Sequence, residues 1–248
     1  MYKEIERTAL MLKTSKNTVV VTGAGISTEA GIPDFRGENG IYRRLGEDRV
    51  MEIINKDCFN SNPDHFYLFY RQNFQSYAEI QPSHAHFALA ELEEQGLVKA
   101  IVTQNIDGLH QKAGSRRVYA IHGSADRYYC TNRSCQQAYN QEYVDSYPLT
   151  VPCCEECDAI LKPDVVLFGE PIKHYYDAVQ AITGAHLLVV IGSSLTVYPL
   201  AGFVRDYCNS NKDLLIINKG RTEMDYAATL KVDTNRTGDF LNQVIDRL

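Results

Sequence analysis

No apolar run in this 248-residue chain approaches the roughly 20 residues that a helix needs to cross a bilayer. The longest, Leu187 to Ile191, has the length of a buried strand, so no membrane partner is expected. A basic surplus is also missing. Twenty-five Lys and Arg stand against 31 Asp and Glu, for a net charge of −6. Phosphate backbones are held by neutralising cations, so direct nucleic-acid binding is not expected either. The opening MYKEIERTALMLKTSKN mixes acids and bases in an amphipathic pattern and lacks the cationic-then-apolar layout of a secretory signal, which leaves the cytoplasm as the expected compartment. There the seven cysteines point to metal or catalysis rather than to a disulfide framework. No internal repeat, low-complexity tract or flexible linker interrupts the chain.

What is present suits a globular protein, with 44% hydrophobic and 23% charged residues and enough length for one α/β domain with a smaller appended module. Apolar positions at helical spacing predict a helix over 3–13, and TVVVTG predicts a buried strand running into glycines. A Gly-, Pro- and Asp-rich loop is expected up to about 46. Further helices are expected over 63–77, opened by Pro63, and over 83–95, with Ser83 as N-cap and Gly96 as stop. Strands are expected at 98–105, 119–123, 186–192, 213–218 and 228–233, with helices over 198–209 and from Gly238 to the end. Strands alternating with helices imply an α/β, doubly wound parallel sheet. Between Cys130 and about Lys162 the periodicity stops, as in a small inserted module.

The turn Gly23-Ala24-Gly25 delivers two glycines from a strand, a geometry that lets backbone N–H groups approach a pyrophosphate. The usual glycine triplet is not satisfied, because Thr28 stands where the third glycine belongs. On this feature alone a plain strand-to-helix turn is equally good. Gly192-Ser193-Ser194 and Asn218 also fall at strand carboxyl ends, where open α/β sheets bind ligands, although a turn-forming Asn explains Asn218 as well.

Four residues lie between Cys130 and Cys135 and two between Cys154 and Cys157, and about 20 residues separate the knuckles. This pattern suits tetrahedral Zn²⁺, and the two-residue spacing to Cys157 favours Cys154 over its neighbour Cys153. Four thiolates leave no open position, so the metal is expected to be structural and to supply folding energy that the irregular interval lacks. A nucleic-acid-binding ribbon is the competing use, but the only charges between Cys135 and Cys154 are Glu142 and Asp145. Cys58 and Cys208 read as core residues.

Six segments in order then resemble the sirtuins, NAD-dependent protein deacylases, and a bacterial-type member among them. They are GAGISTEAGIPDFRG (23–37), TQNIDGLH (103–110), IHG (121–123), the four-cysteine module, KPDVVLFGE (162–170) and GSSLTVYP (192–199). The resemblance implies a Rossmann-like NAD-binding domain over 1–33, 96–123 and 164–248, a cofactor loop and helical module over 34–95, and a zinc-binding module over 124–163. It implies that Gly23, Ala24, Gly25 and Thr28 hold the pyrophosphate, and that Asp34, Phe35 and Arg36 lie on a loop folding over NAD. Gln104, Asn105, Ile106 and Asp107 would line the ribose and nicotinamide pocket, while Gly192, Ser193, Ser194 and Asn218 would contact the adenosine half. His122 would take a proton from the ribose hydroxyls as general base, with Asn105 beside it in catalysis. An imidazole titrating near ~6.5 suits that task.

The implied substrate is an acylated lysine in an extended peptide. It would pair between residues 166–170 and 194–198, touching Val166, Phe168, Gly169, Glu170 and Val197. Family members that prefer acidic acyl groups carry Tyr-x-x-Arg. Here Tyr70-Arg71-Gln72-Asn73 has no Arg at that position, so acetyl or longer neutral groups are expected. Transfer of ADP-ribose to protein is the alternative activity.

Overall fold

The computed structural model describes residues 1–37, 39–74, 77 and 79–248. The strands are β1 (Thr18–Thr22), β2 (Ala100–Thr103), β3 (Val118–Ala120), β4 (Gly123–Cys130), β5 (Ala138–Asn140), β6 (Leu161–Val165), β7 (Leu187–Ile191), β8 (Asp213–Ile217) and β9 (Leu230–Val232). Six of them form a parallel sheet in the order β3-β2-β1-β7-β8-β9, and the other three form an antiparallel sheet, β5-β4-β6. Every residue of β1 and β7 is buried, as the unbroken aliphatic runs require of central strands covered on both faces.

Helices α1 (Tyr2–Thr14), α6 (His84–Glu94) and α11 (Thr237–Ile245) cover one face of the large sheet, packing Leu12, Leu89 and Phe240 around Val20, Ile101 and Leu215. Helices α9 (Tyr175–Gly184) and α10 (Leu200–Cys208) cover the other, with Ile182 and Val204 against Val21 and Val190. The sheet is therefore doubly wound, as the alternating pattern predicts.

The remaining helices are α2 (Ile41–Leu45), α3 (Glu47–Ile53), α4 (Lys56–Ser61), α5 (Pro63–Phe74), α7 (Leu109–Lys112) and α8 (Gln141–Ser146). Phe59, Phe66, Tyr67, Tyr70 and Phe74 from α4 and α5 share one core with Tyr128, Cys130, Cys154 and Leu161 of the cysteine-bearing segment. The Tyr67 hydroxyl donates to the Leu161 carbonyl across that junction. Neither segment is thus built on a core of its own.

Several boundaries differ from the sequence reading. The stretch expected as loop to residue 46 contains a 3₁₀ helix, Ala24–Ala30, as well as α2. Both are held by burial, of Ile26 and Ser27 in one and of Ile41 and Tyr42 in the other. The helix expected over 63–77 is observed as Pro63–Phe74, and residues 75 and 76 lie outside the described residues. The strand expected over 119–123 ends at Ala120, and Gly123 instead opens β4. Gly123 has φ +84, and a Cβ there would sit 1.9 Å from the Asp164 carbonyl oxygen. The strand expected over 98–105 stops at Thr103, which releases Gln104 and Asn105 from the sheet. Among the described residues, no helix is long and apolar enough to cross a membrane.

Candidate active site

The loop after β1 leads toward β2 on one side, and the loop after β7 leads toward β8 on the other. This is the switch point at which open α/β sheets bind ligands. The two loops touch backbone to backbone, with Gly25 N–H donating to the Gly192 carbonyl at 2.9 Å. A Cβ on Gly25 would lie 2.7 Å from Gly192 Cα, and one on Gly192 would lie 2.4 Å from the Ile26 nitrogen. Gly192 also has φ +62, so glycine is required on both sides of the contact.

Above this contact opens a cavity of about 1510 Å³. The residues that the sequence assigned to the nucleotide all line it: Gly23, Ala24, Gly25, Thr28, Asp34, Phe35, Arg36, Gln104, Asn105, Ile106, His122, Gly192, Ser193, Ser194 and Asn218, with the single exception of Asp107. Val166, Phe168, Gly169, Glu170 and Val197, assigned to the substrate, line it too. Asp107 instead faces a second cavity of about 710 Å³ beyond Ile106.

His122 is fixed from both sides. Its carbonyl accepts from Val166 N at 2.8 Å, and its Nδ1 lies 2.9 Å from the Gln104 carbonyl oxygen. A carbonyl only accepts, so Nδ1 carries the proton and Nε2 keeps a lone pair. Burial pushes the His122 pKa down, and the Gln104 contact opposes this to a smaller extent, so the unprotonated form persists below ~6.5. Gln104 is oriented in turn by Ser193 Oγ, which donates to its Oε1 at 2.9 Å.

On the covering segment, Asp34 Oδ1 accepts from Gly37 N at 2.7 Å. Phe35 packs 5.3 Å from Tyr42 and 6.4 Å from Phe74, and Arg36 pairs with Glu47. Thr28 Oγ1 donates to the Gly25 carbonyl at 2.9 Å.

Behind the cavity wall lies a polar cluster in which sequence reasoning named Asn105 and Asp107 but missed Thr22, Ser27, His86 and His110. Asn105 Nδ2 donates to the Gly23 carbonyl and to Ser27 Oγ, both at 3.2 Å, and Ser27 donates to Asp107 Oδ2 at 2.7 Å. His86 Nε2 lies 3.4 Å from Ser27 Oγ, and His110 Nε2 lies 2.9 Å from Thr22 Oγ1. The two rings are 4.8 Å apart. The sequence signal was the Ser83-x-x-His86 spacing of a capping box at the start of α6. Burial holds the His86 pKa down at about 4, and burial with the neighbouring His86 holds His110 at about 3. The unfolded chain protonates both near ~6.5, so stability is complete above that pH and drains away as pH falls toward 4. Each ring should remove about 2 kcal/mol between pH 7 and pH 5. Urea unfolding at the two pH values checks this, and an unchanged midpoint would contradict it.

The four thiolates predicted as metal ligands do converge. The Sγ atoms of Cys130, Cys135, Cys154 and Cys157 all lie within 4.8 Å of one another. Cys130 and Cys157 are 3.4 Å apart, and Cys135 and Cys154 are 3.6 Å apart. A tetrahedron with Zn–S bonds of ~2.3 Å has sulfur edges of about 3.8 Å, so the donor set fits Zn²⁺. The Tyr139 hydroxyl, 3.1 Å from Cys154 Sγ, supplies an outer donor to that thiolate. Cys153 stands apart, its Sγ 3.9 Å from the Val151 carbonyl, so the choice between neighbours falls to Cys154. Cys58 and Cys208 are partly buried and outside the cluster.

Arg71, the cation nearest Tyr70 in sequence, is spent elsewhere. Its guanidinium donates to the carbonyls of Thr150, Val144 and Leu149, whereas Tyr70 lines the cavity.

Comparison with known proteins agrees with this geometry. The chain is 42% identical to an NAD-dependent protein deacetylase of Thermotoga maritima over 240 residues, covering 95% of each chain. It is 42% identical to one of Clostridium perfringens, covering 99% of this chain and all of that one. A solved structure of Sir2 with a deacetylated peptide and 3′-O-acetyl ADP ribose superposes with a TM-score of 0.91 at 38% identity, covering 98% of both chains. One of Sir2 with a peptide and NAD⁺ gives 0.86 at 37%, again covering 98% of both. Residues 23–199 match the description of the Sir2 family, and with relatives of such identity along nearly the whole length, the chain belongs to that family.

Proposed function

We propose that this chain is an NAD-dependent protein lysine deacylase that removes acetyl and other neutral acyl groups, releasing nicotinamide, O-acyl-ADP-ribose and free lysine. The observation that carries the reading is His122, a half-buried imidazole whose Nδ1–H is tied to Gln104 so that Nε2 is the free base within the cavity wall. Bound NAD supplies the glycosidic bond that is exchanged for a bond to the acyl-lysine carbonyl oxygen. The protein's own share is positional and electrostatic.

Gly23, Ala24, Gly25 and Thr28 would receive the pyrophosphate, and Gly192, Ser193, Ser194 and Asn218 the adenosine half. Asp34, Phe35 and Arg36 would cover the cofactor, with Phe35 shielding the nicotinamide side from water. Gln104, Asn105 and Ile106 would line the ribose and nicotinamide pocket, with their amide groups facing the charge that develops as the leaving group departs. Asp107 would bind the carboxamide next to Ile106, which lines both cavities. His122 Nε2 would take the proton from the ribose hydroxyl. The peptide would lie as a strand between residues 166–170 and 194–198, the lysine stem against Phe168 and Val197.

The same reading divides the chain into the sheet domain (1–33, 96–123, 164–248), the covering and helical segment (34–95) and the zinc module (124–163). Its place of action is the cytoplasm, where thiolate ligands stay reduced and all seven cysteines are free.

Mass spectrometry of acetylated peptide incubated with NAD tests the proposal. Nicotinamide, O-acetyl-ADP-ribose and deacetylated peptide are expected, whereas ADP-ribosylated protein would establish the transferase alternative. A panel of acyl peptides tests the pocket. Because Arg71 is bonded to carbonyls of the cysteine segment, a succinyl carboxylate beside Tyr70 lacks that partner. Its kcat/KM should fall at least about ten-fold below that for acetyl. Equal values would show that another cation serves the acyl group.

A further inference from the structure

Lys162 is a buried ammonium, 6% exposed, that none of the chemistry above employs. Lysine is almost never buried so deeply without partners. Here its Nζ donates to the Val165 carbonyl at 2.8 Å, to Glu170 Oε2 at 3.0 Å and, at 3.5 Å, to the Pro163 carbonyl. The same carboxylate oxygen of Glu170 accepts from Leu167 N at 2.9 Å, and Glu170 N donates back to the Leu167 carbonyl at 3.0 Å. The ammonium therefore grips the chain on both sides of Val166–Gly169, which forms one wall of the cleft. Burial lowers the lysine's pKa while the Glu170 carboxylate opposes that shift.

The stem of Lys162 belongs to β6, where it stands opposite Tyr129 of β4, and its neighbour Leu161 stands opposite the zinc-ligand candidate Cys130. The grip thus originates in the small antiparallel sheet and ends at the cleft. Lys162 itself is absent from the cavity lining and so lies clear of the nucleotide.

We propose that Lys162 is a positioning residue for the acylated peptide. Its ammonium holds the Val166–Gly169 wall, which ends in a turn closed by Glu170 N to the Leu167 carbonyl, in the conformation against which the acylated peptide lies, and it couples that wall to the cysteine-bearing sheet. The inference rests on the deacylase reading. Strand pairing draws its affinity from a row of backbone groups, so a wall that loses this conformation weakens the peptide without touching NAD.

The experiment compares KM for acetyl peptide and KM for NAD in the parent protein, Lys162→Met, Glu170→Gln and the double variant. Methionine keeps the apolar stem and removes only the charged end. Lys162→Met should raise the peptide KM about ten-fold, the order expected for one charge-assisted clasp, with NAD KM unchanged as the internal sign of an intact fold. The two substitutions should be far less than multiplicative in the double variant. If Lys162→Met does not fold, Lys162→Gln, which keeps a donor for the Val165 carbonyl but removes the charge, must raise the peptide KM in the same selective way. An unchanged peptide KM in the folded variants, an equal rise in both KM values, or independent effects in the double variant would overturn the proposal. Absence of nicotinamide release by the parent protein would instead overturn the deacylase reading beneath it.

Discussion

Replacing His122 by alanine is expected to lower turnover by about 10³-fold, within the range for loss of a positioned general base, and to leave NAD affinity nearly intact. The asymmetry follows from where each contact is made. The pyrophosphate would be held by backbone at Gly23, Ala24 and Gly25, and the adenosine half by the loop after β7. Neither depends on the imidazole. The Val166 N–H donates to the main-chain carbonyl of residue 122, not to its side chain, so the substitution leaves the cleft wall attached. What disappears is the Nε2 lone pair. Nicotinamide release under multiple turnover, set beside calorimetric NAD titration, separates the two effects, and near-parental turnover would strip His122 of its role. Because burial lowers its pKa, the parent enzyme should also keep working somewhat below pH 6.5, where an exposed imidazole would already be protonated.

Loss of the metal is the second large effect. Cys154→Ala is expected to abolish stoichiometric zinc and to lower the melting temperature by about 10 °C or more, since structural sites of this kind carry a large part of the folding energy of the segments they close. Cys154 is 1% exposed and lies in the same core as Tyr70, Tyr128 and Leu161. Damage should therefore reach α4 and α5, not only the knuckles. Elemental analysis with calorimetric melting decides the point, and an apo variant with parental melting would leave the metal no structural part. Cys153→Ala is the natural control, because its thiol stands outside the cluster.

The sequence was most legible where local chemistry and fold agree. The runs TVVVT and LLVVI could only be central strands, and the glycines that follow them meet as close packing demands. Cysteine spacing located the metal ligands, including Cys154 in preference to Cys153, and the geometry agrees. The helices between residues 41 and 61 were not legible. Each is only five to seven residues long, too short to form without tertiary packing, and each is held by one or two buried side chains such as Tyr42, Val50, Ile53 and Phe59. Helix α9 shows only Ala178 and Ile182 buried, too sparse a stripe to announce itself. His86, His110 and Lys162 went unassigned because their meaning lies in partners far away in the chain or across the sheet, such as Ser27 and Thr22.

The aromatic core common to α4, α5 and the cysteine segment has a mechanical consequence. With rings of Tyr67, Tyr70 and Tyr128 interlocked, the two insertions form a single jaw, which meets the sheet domain at the chain crossings and at a few backbone contacts such as Phe168 N to the Ile54 carbonyl. Widening the gap for an incoming polypeptide then calls for one hinge-like swing of that jaw, and a crosslink between either insertion and the sheet should arrest both at once.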